Sequence, residues 1–203
     1  RIDHVMGLRR LFWNPGGMGG ADGVYIRQPA EELYAALMIE SHRAQAEIVG
    51  ENLGTVPPEV DKELDRRGIL KMYVGLFEFR PKERPVCRVP GRETLASLNT
   101  HDTPTLAAFW SGSEIDLRER LGLLTVAAAA KERRAHTKLV AAIRADLSRA
   151  GLLERGGDDP SAVATAMLRL LAASPARKVL VNLEDLWGEE LPQNVPGVHE
   201  GVP

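Results

Sequence analysis

Apolar and polar positions along the chain sort into short apolar runs separated by longer stretches with helical spacing. Residues 46–50 (Ala-Glu-Ile-Val-Gly), 69–79 (Ile-Leu-Lys-Met-Tyr-Val-Gly-Leu-Phe-Glu-Phe), 94–98 (Thr-Leu-Ala-Ser-Leu) and 178–183 (Lys-Val-Leu-Val-Asn-Leu) read as strands, the last of them buried. Pro29 opens a helix with Leu33, Leu37 and Met38 as its apolar positions. Pro57-Pro58 open another, which ends at Gly68. Proline suits a first turn because the N–H it lacks would have no helical partner. Residues 8–13 predict a short helix, and the five glycines of residues 14–23 predict a flexible stretch of turns. From 104 to 173 the pattern is helical. Leu139, Val140, Ile143 and Leu147 share one face, and Asp159-Pro160 cap a helix with Val163, Met167, Leu170 and Leu171 inside.

Strands alternating with helices mean parallel βα units and an α/β fold. Four strands and the stub of a fifth at residues 1–3 make roughly half of an eight-stranded barrel. The expectation is therefore the C-terminal half of a (β/α)8 TIM barrel, from the end of its fourth strand to its eighth, with an added helical segment over about 113–173. On this reading residues 1–203 are a single partial catalytic domain, excerpted from a longer polypeptide whose N-terminal half-barrel is absent.

Bulk composition narrows the choice of partners. The hydrophobic fraction is 44%, the charged fraction 27% and the formal net charge −2, as in ordinary soluble globular proteins. No basic stripe suggests nucleic acid; Lys131-Glu132-Arg133-Arg134 read as the solvated face of a helix. No apolar run approaches the roughly 18 residues of a membrane helix. The single cysteine, Cys87, excludes an internal disulfide and points to a reducing, cytoplasmic setting; it reads as a structural thiol. His42, His136 and His199 read as surface residues, no histidine pair has metal-ligand spacing, and neither metal nor cofactor is expected. Gly16-Gly17 and Gly19-Gly20 lack the Lys-Ser/Thr of a phosphate loop and read as a mobile lip of a cleft.

The candidate chemistry lies in three strings about fifty residues apart: Arg1-Ile2-Asp3-His4, Gly50-Glu51-Asn52-Leu53-Gly54 and Asn99-Thr100-His101-Asp102-Thr103-Pro104. Each places an acid where a strand ends. A parallel α/β barrel builds its active site from the C-terminal ends of several strands, and two carboxylates flanking an acetal are the apparatus of glycosidic chemistry. Retention requires one carboxylate to attack and another carboxyl to protonate the leaving oxygen, about 5–5.5 Å apart. Arg1, two residues before Asp3, would point to the same side of a strand and favour the ionised form of that acid. Glu51 has to hold a proton, which a less polar setting or nearby negative charge would favour. Trp13, Tyr25, Phe109 and Trp110 read first as packing residues and second as sugar-stacking surfaces.

Together with Thr55-Val56, with Thr105 and with the late segments Asn182-Leu183-Glu184-Asp185-Leu186 and Gln193-Asn194-Val195-Pro196-Gly197, these strings resemble the 4-α-glucanotransferases of glycoside hydrolase family 77 (amylomaltase, disproportionating enzyme) over nearly the whole chain. The resemblance implies a (β/α)8 enzyme that cuts an α-1,4-glucan link and passes the released chain to another sugar's 4-hydroxyl, with malto-oligosaccharides, maltodextrin and glucose as partners. It implies that Asp3 is the nucleophile, Glu51 the general acid/base and Asp102 the acid that holds sugar hydroxyls in the transition state. Arg1 and His101 match flanking substrate-binding residues. His4 and Asn52 join them by position, Asn52 standing where an acid is more usual. The alternatives are a retaining hydrolase of the α-amylase clan and a non-catalytic glucan-binding piece; Glu184 and Asp185 read as structural.

Overall fold

The computed structural model describes residues 1–154 and 159–198; His199 lies outside them. The chain divides into two compact units, Arg1–Met72 with Glu93–Leu95 and Tyr73–Arg92 with Ala96–Pro203.

In the first unit a short 3-10 turn, Val5–Leu8, leads into the antiparallel hairpin of β1 (Arg10–Trp13) and β2 (Val24–Arg27). Helix α1 (Ala30–Ala44), β3 (Val49–Gly50) and α2 (Pro58–Arg67) follow, and then β4 (Leu70–Val74), whose first three residues belong here. Strand β3 pairs in parallel with β4, Val49 against Leu70 and Gly50 against Lys71, and Ile2 forms a parallel bridge to Gly50. Lys71 N–H donates to Glu93 O at 3.0 Å, where β5 (Thr94–Ser97) begins. Helix α2 starts on Pro58 and stops where Gly68 takes φ 66°, a left-handed turn that glycine adopts without a Cβ clash. Val5, Met6, Tyr34, Val60, Leu64 and Ile69 form the core of this unit.

In the second unit Leu76 N–H donates to Leu98 O at 3.0 Å, and Leu180 N–H donates to Ala96 O at 2.8 Å, so β6 (Lys178–Val179) lies beside β5. The helices are α3 (Leu106–Ser111), α4 (Ser113–Arg120), α5 (Val126–Arg149), α6 (Pro160–Ala172) and the single turn α7 (Glu184–Trp187). Ile143 and Leu147 of α5 and Val163, Met167 and Leu171 of α6 are buried in its core with Phe79, Leu98 and Trp110. Asp159 caps α6, its carboxylate accepting Ser161 N–H at 3.1 Å. Among the described residues no helix is long and apolar enough to cross a membrane.

Four expectations are corrected. Residues 10–13 form a strand rather than a helix, because Val24–Arg27 offers a partner for every residue. Phe12 meets Tyr25 edge-on at 5.1 Å, and the Arg10 guanidinium lies 4.0 Å over the Tyr25 ring. The run 69–79 is strand only to Val74; a 3-10 turn, Gly75–Phe77, ends the ladder. The last strand is not buried: among the described residues it is a two-residue strand at the edge of its sheet, and Val179, Leu180 and Val181 are 37%, 44% and 40% exposed. His136 is a half-buried strut, its ring bonded to Phe109 O at 2.5 Å and edge-on to the Phe109 ring. Trp13 and Tyr25 are exposed, whereas Trp110 is buried. Cys87 is a buried thiol 3.3 Å from Tyr73 Oη, its pKa pushed up by burial.

Candidate active site

Ile2 N–H donates to Val49 O at 2.8 Å, Glu51 N–H to Ile2 O at 2.8 Å, and Val5 N–H to Glu51 O at 2.9 Å. This ladder sets the first residues of the chain beside the end of β3, and it brings Asp3 and Glu51 out at neighbouring strand ends. The approach is close because residue 50 is glycine: a Cβ there would lie 2.9 Å from Cγ2 of Val5, which is fully buried. His4 turns the chain with φ 47°, an uncommon value for a residue with a Cβ. That turn aims its N–H at Glu51 Oε2, 2.6 Å away, while Leu53 N–H meets Oε1 at 2.6 Å. Both carboxylate oxygens of Glu51 thus accept a backbone N–H.

Asp3 receives the Arg1 guanidinium at 2.8 Å, so the expected pair forms; the Asp3 side chain is 62% exposed. Asn52 donates to Asp61 Oδ1 at 2.9 Å and accepts Met72 N–H at 3.0 Å, bracing the end of β3 against α2 and β4. An amide suits this place, because a carboxylate has no hydrogen to offer Asp61 and would repel it.

In the second unit the loop after β5 carries His101 and Asp102. His101 Nε2 lies 3.0 Å from Asp102 Oδ2, and Asn194 Nδ2 donates to Asp102 Oδ1 at 2.5 Å. Thr103 Oγ1 accepts Thr100 N–H at 2.8 Å, and Thr105 caps α3 by accepting Ala108 N–H at 3.2 Å. Asp185, only 5% exposed, holds both ends of this loop with one oxygen: Oδ1 accepts Asn99 Nδ2 at 2.9 Å and Leu106 N–H at 3.2 Å. Burial raises its pKa, opposed in part by those two donors. Asn182 Nδ2 also donates to Asn99 O, at 3.0 Å. A cavity of about 580 Å³ lies in this unit, lined by Asp102, Thr103, Glu114, Arg118, Asn194 and Pro196 among others. Asp185 read as structural and acts so here, whereas its bond to Asn99 and the contact of Asn194 with Asp102 were not foreseen. Their place in the strings 99–104, 182–186 and 193–197 is the sequence signal they carry.

The fold is α/β, with β3 and β4 paired in parallel. The family model described as 4-alpha-glucanotransferase, glycoside hydrolase family 77, matches residues 1–203, and the chain belongs to this family. It is 39% identical over 209 residues to the 4-alpha-glucanotransferase of Mycobacterium tuberculosis, covering 100% of this chain and 29% of that protein. It is 36% identical to that of Haemophilus influenzae over 210 residues, covering 100% of this chain and 30% of that protein. The chain thus spans about three tenths of the length of the curated relatives it matches. The crystal structure of amylomaltase from Corynebacterium glutamicum superimposes with TM-score 0.84 at 32% identity, over 98% of this chain and 30% of that one. Amylomaltase from Streptococcus agalactiae in complex with acarbose shares the fold, with TM-score 0.67 at 20% identity over 98% of this chain and 35% of that one.

Proposed function

We propose that the chain supplies the C-terminal half of a (β/α)8 catalytic domain, with the helices over about 113–173 as an insertion. The enzyme is a 4-α-glucanotransferase that moves α-1,4-glucan segments between malto-oligosaccharides and maltodextrin, with glucose as an acceptor. A single buried thiol suits a cytoplasmic enzyme.

Catalysis is a retaining double displacement. Asp3 attacks the anomeric carbon as Glu51 protonates the leaving oxygen, which gives a covalent glycosyl-enzyme and a shortened glucan. Glu51, now a carboxylate, takes the proton from an incoming 4-hydroxyl, whose oxygen displaces Asp3. Asp102 holds sugar hydroxyls as positive charge develops on the ring. Arg1, paired with Asp3 at 2.8 Å, holds that carboxylate in place and binds substrate beside it. His4, His101 and Asn52 bind substrate, Asn52 through the amide hydrogen that Asp61 leaves over.

The observation that supports this reading is the Ile2–Glu51 ladder, which sets the carboxylates of Asp3 and Glu51 on adjacent strand ends. Its test is product analysis from maltotriose, using a polypeptide of the relatives' full length that carries this chain. Longer and shorter maltodextrins are expected with no net gain of reducing ends. A steady rise in reducing ends indicates hydrolysis instead, and no turnover indicates a binding piece.

A further inference from the structure

We propose that Asn194 is a positioning residue for glucan transfer, orienting the carboxylate of Asp102 without neutralising it. This rests on the reading of Asp102 as the third acid. Asn194 Nδ2 lies 2.5 Å from Asp102 Oδ1. An ionised carboxylate only accepts, so the amide has to present its N–H to it. The other oxygen, Oδ2, faces His101 Nε2 at 3.0 Å, so the acid is held from both sides.

Asn194 is itself fixed. The neighbouring Gln193 amide donates to Glu184 Oε1. On the other side Val195 is 8% exposed, and Val198 N–H donates to Val195 O at 3.1 Å across Gly197, whose φ of 85° suits a residue without a Cβ. These contacts flank Asn194 on both sides of the segment that meets Asp102.

The choice of an amide has a physical reason. Positive charge grows on the sugar ring in an oxocarbenium-like transition state, and a nearby carboxylate stabilises it only if its own charge is left intact. Arginine or lysine at this position would orient Asp102 but cancel much of that charge. Asparagine supplies direction alone. An acid turned away from the sugar loses contacts that strengthen in the transition state, so the loss falls on kcat more than on KM.

The test uses a polypeptide of the relatives' full length with maltotriose as donor and acceptor. Asn194→Ala is expected to lower kcat roughly ten- to a hundredfold, the effect of losing one hydrogen bond to a charged group, with KM moving less than about threefold. Asn194→Asp, nearly isosteric, sets a second carboxylate against the first. Like charges this close retain a proton between them. The acid-side limb of the kcat profile is therefore expected to move to higher pH, with activity recovering as pH is raised. Full turnover in Asn194→Ala beside an inactive Asp102→Ala overturns the positioning role alone. An unmoved limb in Asn194→Asp, or no recovery at high pH, does the same, and decides the matter if the alanine variant does not fold. Wild-type kcat in Asp102→Ala removes the third-acid reading, and the proposal with it.

Discussion

His4 and Gly50 show how much of the site is set by single backbone positions. His4 takes the left-handed conformation at φ 47°, which costs a residue with a Cβ roughly 1–2 kcal/mol, and the hydrogen bond from its N–H to Glu51 offsets part of that. Gly50 lets the strand lie against fully buried Val5, which has no room to withdraw. Gly50→Ala is expected to destabilise the protein by about 1–3 kcal/mol, the usual effect of overpacking, read from denaturant unfolding. The same variant should lose transfer activity, because the displaced turn carries both Asp3 and the N–H that holds Glu51. Wild-type stability in this variant would mean that the close approach does not matter. At this scale the pairing of Arg1 with Asp3 was legible, since the two residues lie two apart and on one side of the chain. The roles of Asn52, Asn99 and Asn194 were not: an amide commits to no partner until the fold supplies one.

Among the elements, those with dense local signals read correctly. Helix α2 has Pro58 at its start and Gly68 at its end, and α6 has Asp159 as its cap; each signal acts within a turn of its own position. The β1–β2 hairpin was misread because strand pairing depends on residues well beyond the local window, Phe12 pairing with Tyr25 and Arg10 with Arg27. Lys131-Glu132-Arg133-Arg134 proved to be more than a solvated face. Glu132 accepts Arg118 of α4 at 2.6 Å, and Arg133 reaches Asp116 at 2.6 Å and also Glu119, tying α5 to α4. Asp185 of α7 makes a pH-dependent contribution. Burial raises its folded pKa above the ordinary value, so the folded state binds the proton more tightly than the unfolded one. Its contribution to stability is therefore fully present below the ordinary aspartate range and is lost as pH rises through the raised value. Asp185→Asn keeps an acceptor oxygen for Asn99 and Leu106 and cannot ionise. Its melting temperature relative to wild type is expected to rise as pH increases through that window; a constant difference across the window would show that the buried carboxyl does not titrate there.

For the whole molecule, the parallel α/β class and the family were both readable, because the motifs recur in order over the length of the chain and the family model matches all of it. What the strand pattern did not convey was how short the ladders are, two residues each in β3 and β6, since apolar composition marks burial propensity and not hydrogen-bonded length. The central claim is that Asp3 bonds covalently to the glucosyl unit in transit. A slow-turnover 5-fluoro glucosyl donor, incubated with a polypeptide of the relatives' full length and followed by mass spectrometry of its tryptic peptides, tests this most directly. One added fluoroglucosyl mass on the peptide Ile2–Arg9, absent from the Asp3→Ala variant, is the expected result. A label on the peptide bearing Glu51 or Asp102, or undiminished labelling and transfer in Asp3→Ala, would contradict it.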